Sequence, residues 1–246
     1  MVKTDVIQLA ELDSLPVSDG FRLRGMDMTR LETFADAAFA FAVTLLVVGG
    51  GDAIPTSFEE MTQALKQVPA FAASFANIML FWYAHHRWSR RFGLEDAGSA
   101  MLTMLLIFIV LIYVYPLKAI FSGAFQFFSG GYLQSYFGLR SIQDLRSLFI
   151  IFGSGYLCLS GVLLLLNRHA LALADQLSLS ELEQYDTSTE LRYWLISMSV
   201  PLLSIALAWL VADRFVVVAG MIYGIFGIVF PWFFSRRARV RARIAS

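Results

Sequence analysis

The chain has 246 residues, 58% of them hydrophobic and 15% aromatic, and its 19 basic residues balance 19 acidic ones to a formal net charge of zero. A mean hydropathy of +0.65 excludes an ordinary soluble domain of this size. Without strand-type alternation, the apolar stretches cross a bilayer only as helices, because lipid offers no partners to backbone polar groups.

A hydrocarbon core of about 30 Å takes about 20 apolar residues per helix. Six stretches approach that length: 31–50, 67–86, 98–119, 147–167, 193–212 and 215–235. The expectation is an all-α integral membrane protein of six transmembrane helices. Residues 1–29 form a cytoplasmic lead, 30–235 one membrane domain and 236–246 a basic cytoplasmic tail. With both termini inside, Lys66, Lys118, Arg140, Arg146 and Arg214 are the only basic residues on outer segments, so the positive-inside rule favours N-in, C-in. The first 20 residues carry Asp5, Glu11, Asp13 and Asp19 but no apolar core, so no cleavable signal is read there.

The first helix is entered through Arg30 and Asp36 and carries one isolated hydroxyl, Thr44, at mid-membrane depth. A charge inside a bilayer costs about 2.5 to 3.5 kcal/mol even on insertion scales, so a helix that keeps Asp36 uses it. At about 100° per residue from Phe41, Ala37 falls near 320°, Thr44 near 300°, Leu45 near 40°, Val48 near 340° and Asp52 near 20°. Asp36, near 220°, points toward neighbouring helices instead. An apolar stripe with one threonine also fits ordinary helix packing, so spacing alone leaves both readings open. Gly49, Gly50 and Gly51 are expected to stop this helix, and residues 52–66 to form an outer loop.

On the second helix, Trp82, His85 and His86 are expected on one stripe below Phe75 and Ile78, at the depth of Asp36. A buried carboxylate there calls for donors, and His85, His86 or Arg87 are the candidates. Arg30, Phe34, Asp36, Trp82, His85, His86 and Arg87 make up the inner network expected to hold the first two helices together. Adjacent histidines diverge by about 100° on a helix and lack a third ligand, which argues against a metal. Proton sensing is a second use of such histidines.

Residues 120–146 form an aromatic outer segment, with Phe121, Phe125, Phe127, Phe128, Tyr132, Tyr136 and Phe137 at the interface or over the outer mouth. Gly153-Ser154-Gly155-Tyr156 is a faint match to a carbonyl filter, but it lies inside the fourth helix with no pore helix before it. Cys158 is read as a packing residue. Ser180 with Glu183, and Thr187 with Glu190, have capping-box spacing for a short cytoplasmic helix before the fifth membrane helix. Gly220, Gly224 and Gly227 permit close packing of the sixth helix. The terminal arginines follow a membrane helix directly, which reads as anchoring to anionic lipid rather than as nucleic-acid binding.

Arg30, Phe34-Ala35-Asp36, Phe39-Ala40, Ala42 and Thr44-Leu45-Leu46, followed by Trp82 and His85-His86-Arg87, resemble the bacterial branch of the transmembrane protein 175 potassium channel family. The resemblance implies a homotetramer in the bacterial plasma (inner) membrane, with the first helix of each subunit lining a central pore and no re-entrant filter loop. It aligns Phe41, Leu45 and Val48 with a hydrophobic constriction and Thr44 with a selectivity layer. Three positions depart from the family pattern. Ala35 stands for a serine, Ala84 for an asparagine before the histidines, and Phe41 for the usual isoleucine or leucine. Asp52 is placed at the outer mouth as a concentrator of cations or as a solvated loop acid.

The expected partners are further copies of the chain, membrane lipids and monovalent cations, with potassium as the permeant ion and no cofactor. The expected activity is that of a potassium-selective or weakly selective cation channel. The rivals are a non-conducting membrane scaffold and a proton-linked secondary transporter. For the transporter, Pro116, Pro201 and Pro231 are expected near helix ends, and paired repeats are missing. A membrane enzyme lacks a nucleophile-base pair, a metal set and a phosphate-cradling loop.

Overall fold

Long apolar runs divided by capping residues give eight α-helices and one hairpin among residues 14–48 and 55–244, the part described by the computed structural model. The expected stop at Gly49 to Gly51 and the outer-mouth Asp52 lie outside the described residues. Strands β1 (Val17–Ser18) and β2 (Phe21–Arg22) pair antiparallel around Asp19-Gly20. Both turn residues have positive φ, 52° and 74°, the conformation that a two-residue Asp-Gly hairpin loop requires.

The helices are α1 (Arg30–Val48), α2 (Phe58–Lys66), α3 (Val68–Phe92), α4 (Ala97–Phe128), α5 (Ile142–Ala172), α6 (Glu181–Leu210), α7 (Val217–Met221) and α8 (Phe226–Ile244). Side-chain caps set several starts. Ser57 accepts from the Glu60 amide, Asp96 from Gly98, and Ser141 with Asp144 and Ser180 with Glu183 close full capping boxes, satisfying amides that a helix start leaves unpaired. Gly93, at φ 59°, ends α3 in the left-handed conformation, which glycine adopts without a Cβ penalty. By length and composition five helical segments can cross a membrane, and α2 with α3, bent by 42°, make a sixth.

Several elements differ from the sequence expectations. The outer loop contains α2, which Ser57 nucleates. Helix α4 runs nine residues past 119, so Phe121 to Phe128 are helical. The box at Ser180 starts α6 itself, with no separate helix before it, and Thr187 donates within that helix to the Glu183 carbonyl at 2.7 Å. Pro116, Pro201 and Pro231 sit inside helices. The sixth span is segmented, with 3-10 turns at Asp213–Phe215 and Ile222–Ile225 flanking α7. A Cβ on Gly220 would lie 2.6 Å from the Phe149 ring, whereas Gly224 and Gly227 have nothing within 4 Å. Only Gly220 therefore serves the expected close packing within this chain.

The core lies between α3, α4, α5 and α6, where Phe81, Tyr113, Tyr156, Leu159, Leu163 and Trp194 are buried together. Helix α1 leans on α3 and α4. At the arginine-rich end the hairpin is sewn in. Phe21 is fully buried against Phe92 and under the Arg91 guanidinium, and Arg24 pairs with buried Glu183 at 2.9 Å. The basic tail is a continuation of α8. Its Arg237 and Arg241 turn inward onto Asp186 at 2.8 and 3.0 Å, so these two are committed to the protein rather than to lipid. Arg236 lies over the Trp232 ring.

Candidate functional site

Helix α1 has two sharply different faces. Glu32, Ala35, Phe39, Ala42 and Leu46 are buried, and they cluster between about 100° and 180° on the wheel that puts Phe41 at zero. Thr33, Phe34, Ala37, Ala40, Phe41, Thr44, Val47 and Val48 are exposed, and they cover the arc from about 240° round to 20°. Phe41 is 56% exposed and Val48 68%. Phe41, Thr44 and Val48 thus share one open face. Leu45 is partly buried against the core and forms the shoulder of that face.

The Thr44 hydroxyl donates to the Ala40 carbonyl at 3.1 Å. Its one proton is therefore used inside the helix, and the oxygen lone pairs remain for the open side. Such an oxygen is an acceptor, suited to a cation rather than an anion.

At the basic end, the partners of the predicted network are different from those expected. Trp82, not a histidine or arginine, donates to Asp36, with Nε1 at 2.8 Å from Oδ1. His85 is buried and bonds Thr103 on α4 at 3.0 Å. His86 stacks on Trp82 with ring centroids 5.4 Å apart and places Nδ1 3.4 Å from Oε1 of buried Glu32, an ion pair when the ring is protonated. Arg87 pairs with Glu190 on α6 at 2.7 Å. The two adjacent histidines serve different neighbours because about 100° separates them. The stripe facing the core is Ser74, Ile78, Phe81, His85, Trp88 and Phe92, while Trp82 and His86 face α1.

Arg30 and Phe34 lie outside this network. Both are exposed, and among the described residues Arg30 makes no ion pair with α3 and Phe34 no ring contact. Their wheel positions, near 340° and 20°, put them on the open face with Phe41. Sequence reasoning missed Glu32 and Thr103, and it read Glu190 as a capping residue rather than as the partner of Arg87. Glu32 carries a signal, since it stands one helical turn before Asp36 on the same apolar helix. Among the described residues no group of three His, Cys, Asp or Glu side chains is placed to hold a metal ion.

The sequence profile described as endosomal/lysosomal potassium channel TMEM175 matches residues 30–116, which include α1, α3 and most of α4. A protein from Marivirga tractuosa named potassium channel is 35% identical over 194 residues, covering 77% of this chain and 78% of the relative. The chain belongs to the TMEM175 family. The crystal structure of a threonine-to-alanine variant of the potassium channel MtTMEM175, in complex with a nanobody-MBP fusion protein, superposes with a TM-score of 0.77 at 31% identity. It covers 90% of this chain and all of that one. A lysosomal potassium-selective channel TMEM175 homologue from Chamaesiphon minutus shares the fold, with a TM-score of 0.54 at 21% identity over 85% of this chain and 96% of that one. TMEM175 is a family of potassium channels, not of enzymes.

Two cavities lie away from α1 in this TMEM175 chain. One of about 10 Å³, beside Arg87, Arg91, Asn167 and Glu190, has room for about one water. The other, of about 780 Å³, opens between α3, α4, α5 and the segmented sixth span, and no charged side chain lines it. A coupled carrier needs an intramembrane site for substrate and coupling ion, and this cavity offers no ionisable carboxylate or histidine for that role.

Proposed function

We propose that the chain is the subunit of a homotetrameric, potassium-selective channel of the bacterial inner membrane, with α1 from four copies around the central pore. The observation that carries this reading is the open face of α1. It holds Phe41, Thr44 and Val48, while the opposite face is buried in the subunit. The matched relatives named as potassium channels support the ion.

In this reading the rings of Phe41 and Val48 make a water-poor bottleneck, which Leu45 buttresses from the core side. Thr44 oxygens replace part of the hydration shell of a passing cation. Four Phe41 rings add an attraction of about 0.5 to 2 kcal/mol for a cation over their faces. Trp82, Asp36, His86 and Glu32 hold the inner end of α1 on α3. The basic end faces the cytoplasm by the positive-inside rule, where Arg236 and Arg239 reach anionic headgroups.

Reconstitution into liposomes tests the reading. A potassium gradient is expected to drive passive flux that persists without substrate or proton coupling. Protein that passes no cation at any voltage sinks it in favour of the scaffold, and saturable proton-driven uptake would favour the transporter.

A further inference from the structure

We propose that Phe34 forms a second aromatic ring in the ion pathway, on the cytoplasmic side of the Phe41 ring, so that the pore narrows at two levels. The proposal rests on the pore reading above and deepens it. Phe34 is 59% exposed, nearly the value of Phe41, whereas Phe39 on the same helix is 1% exposed. Seven residues separate Phe34 from Phe41, which places them about 20° apart around the helix and about 10.5 Å apart along it. Between the two levels the open face carries only alanine, at Ala37 and Ala40. A wide segment bounded by two phenylalanine rings results.

Two features argue that this line faces water rather than lipid. Arg30 occupies its cytoplasmic end and Thr44 its middle, both exposed, and the Thr44 oxygen, its proton given to the Ala40 carbonyl, keeps its lone pairs for the open side. Phe34 also takes no part in the ring pairs of α3. Trp82 stacks on His86 and His85 lies against Trp88, and Phe34 pairs with none of them. An inner phenylalanine ring in a narrow pore excludes water and hinders ions by dewetting. Phe34 thus controls access from the cytoplasm to the Ala37 segment, while Thr44 and Phe41 act beyond it.

Cysteine accessibility decides the matter. The single native cysteine, Cys158, is exposed and is first replaced by Ser. A charged, membrane-impermeant thiol reagent is then applied from the inner side to reconstituted tetramers. Phe34→Cys is expected to react and lose most of its current. An Ala37→Cys reporter is expected to react at least about tenfold faster when Phe34→Ala is added, the rate ratio for a barrier lowered by about 1.4 kcal/mol. Phe34→Cys that stays unreactive, or reacts without loss of current, overturns the proposal, as does an unchanged Ala37→Cys rate. If Thr44→Cys blocks on modification from the outer side while Phe34→Cys is silent, the pore reading survives and only the second ring falls. If Ala37, Phe41 and Thr44 are all silent as cysteines, both readings fail together.

Discussion

Trp82 on α3 donates its indole N–H to the Asp36 carboxylate on α1 at 2.8 Å and stacks on His86 in the same turn. Trp82→Phe keeps a ring for the stack but leaves a half-buried carboxylate without its donor. Losing a bond to a group of this kind costs about 1 to 3 kcal/mol. The expected outcome is a lower thermal unfolding midpoint for Trp82→Phe. A smaller drop is expected for Asp36→Asn, whose amide oxygen still accepts. Scanning fluorimetry on the detergent-purified protein measures both, and equal midpoints for Trp82→Phe and the parent would remove this bond from the stability of the contact between α1 and α3.

The hairpin is held by a second buried contact. Arg24 donates to both Glu183 oxygens, at 3.1 and 2.9 Å, and the Arg22 amide adds a bond at 2.7 Å. Removing one partner strands the other charge, a loss of about 3 to 5 kcal/mol at buried pairs. Arg24→Met is therefore expected to unfold well below the parent. The double variant Arg24→Met with Glu183→Gln is expected to recover part of the loss, because no unpaired charge remains. Denaturant unfolding of the single and double variants measures the coupling.

Thr44→Ala removes the oxygen that faces the open side of α1 and keeps the helix. Its expected effect is a potassium-to-sodium permeability ratio that falls toward one. Thr44→Ser retains the oxygen and the bond to Ala40, so the ratio is expected to stay near that of the parent. Reversal potentials under bi-ionic conditions give the ratios. An unchanged ratio in Thr44→Ala would place selectivity elsewhere in the pathway.

The two faces of α1 are legible in the sequence because helix geometry fixes the angle between any two of its residues. Phe41, Thr44 and Val48 fall together on a wheel and fall together in the structure. The partners of α3 are not legible in that way. Which group meets Asp36 depends on the rotation and depth of α3 relative to α1, and a single-helix wheel contains neither quantity. The same gap hides the pairs His85–Thr103 and Arg87–Glu190, and it makes Phe34 read as a network residue when it faces outward. Helix ends escape hydropathy for another reason. At Ser180 a cap decides where α6 begins, well before its apolar stretch, and α8 continues past its apolar stretch as a charged helix tied to Asp186.

Between α3 and α4, Asp96 caps α4 and meets His169 at 2.8 Å and Ser99 at 2.6 Å. Burial raises its carboxyl, but the bonds from Ser99, His169 and Gly98 outweigh burial and leave it below the ordinary value. A lowered folded value means stability that is complete above about pH 4 and is lost as the pH falls through the folded value. Asp96→Asn is expected to unfold below the parent at pH 6 to 7, with the gap closing as the pH falls below about 4. Unfolding midpoints across that range check the sign, and a gap that widens toward acid contradicts it.

Gly155 tests whether the Gly153-Ser154-Gly155-Tyr156 segment acts in packing or as a filter. It lies within continuous helix α5, and a Cβ there would collide with the Tyr113 ring. Overpacking of a filled core costs about 1 to 3 kcal/mol. Gly155→Ala is therefore expected to lower the unfolding midpoint and to leave the potassium-to-sodium ratio of the folded fraction unchanged. A filter built from these carbonyls predicts the opposite pairing, an altered ratio with little loss of stability. Measuring both properties on one preparation separates the two, because Tyr113 belongs to the subunit core and shares no face with Phe41 or Thr44.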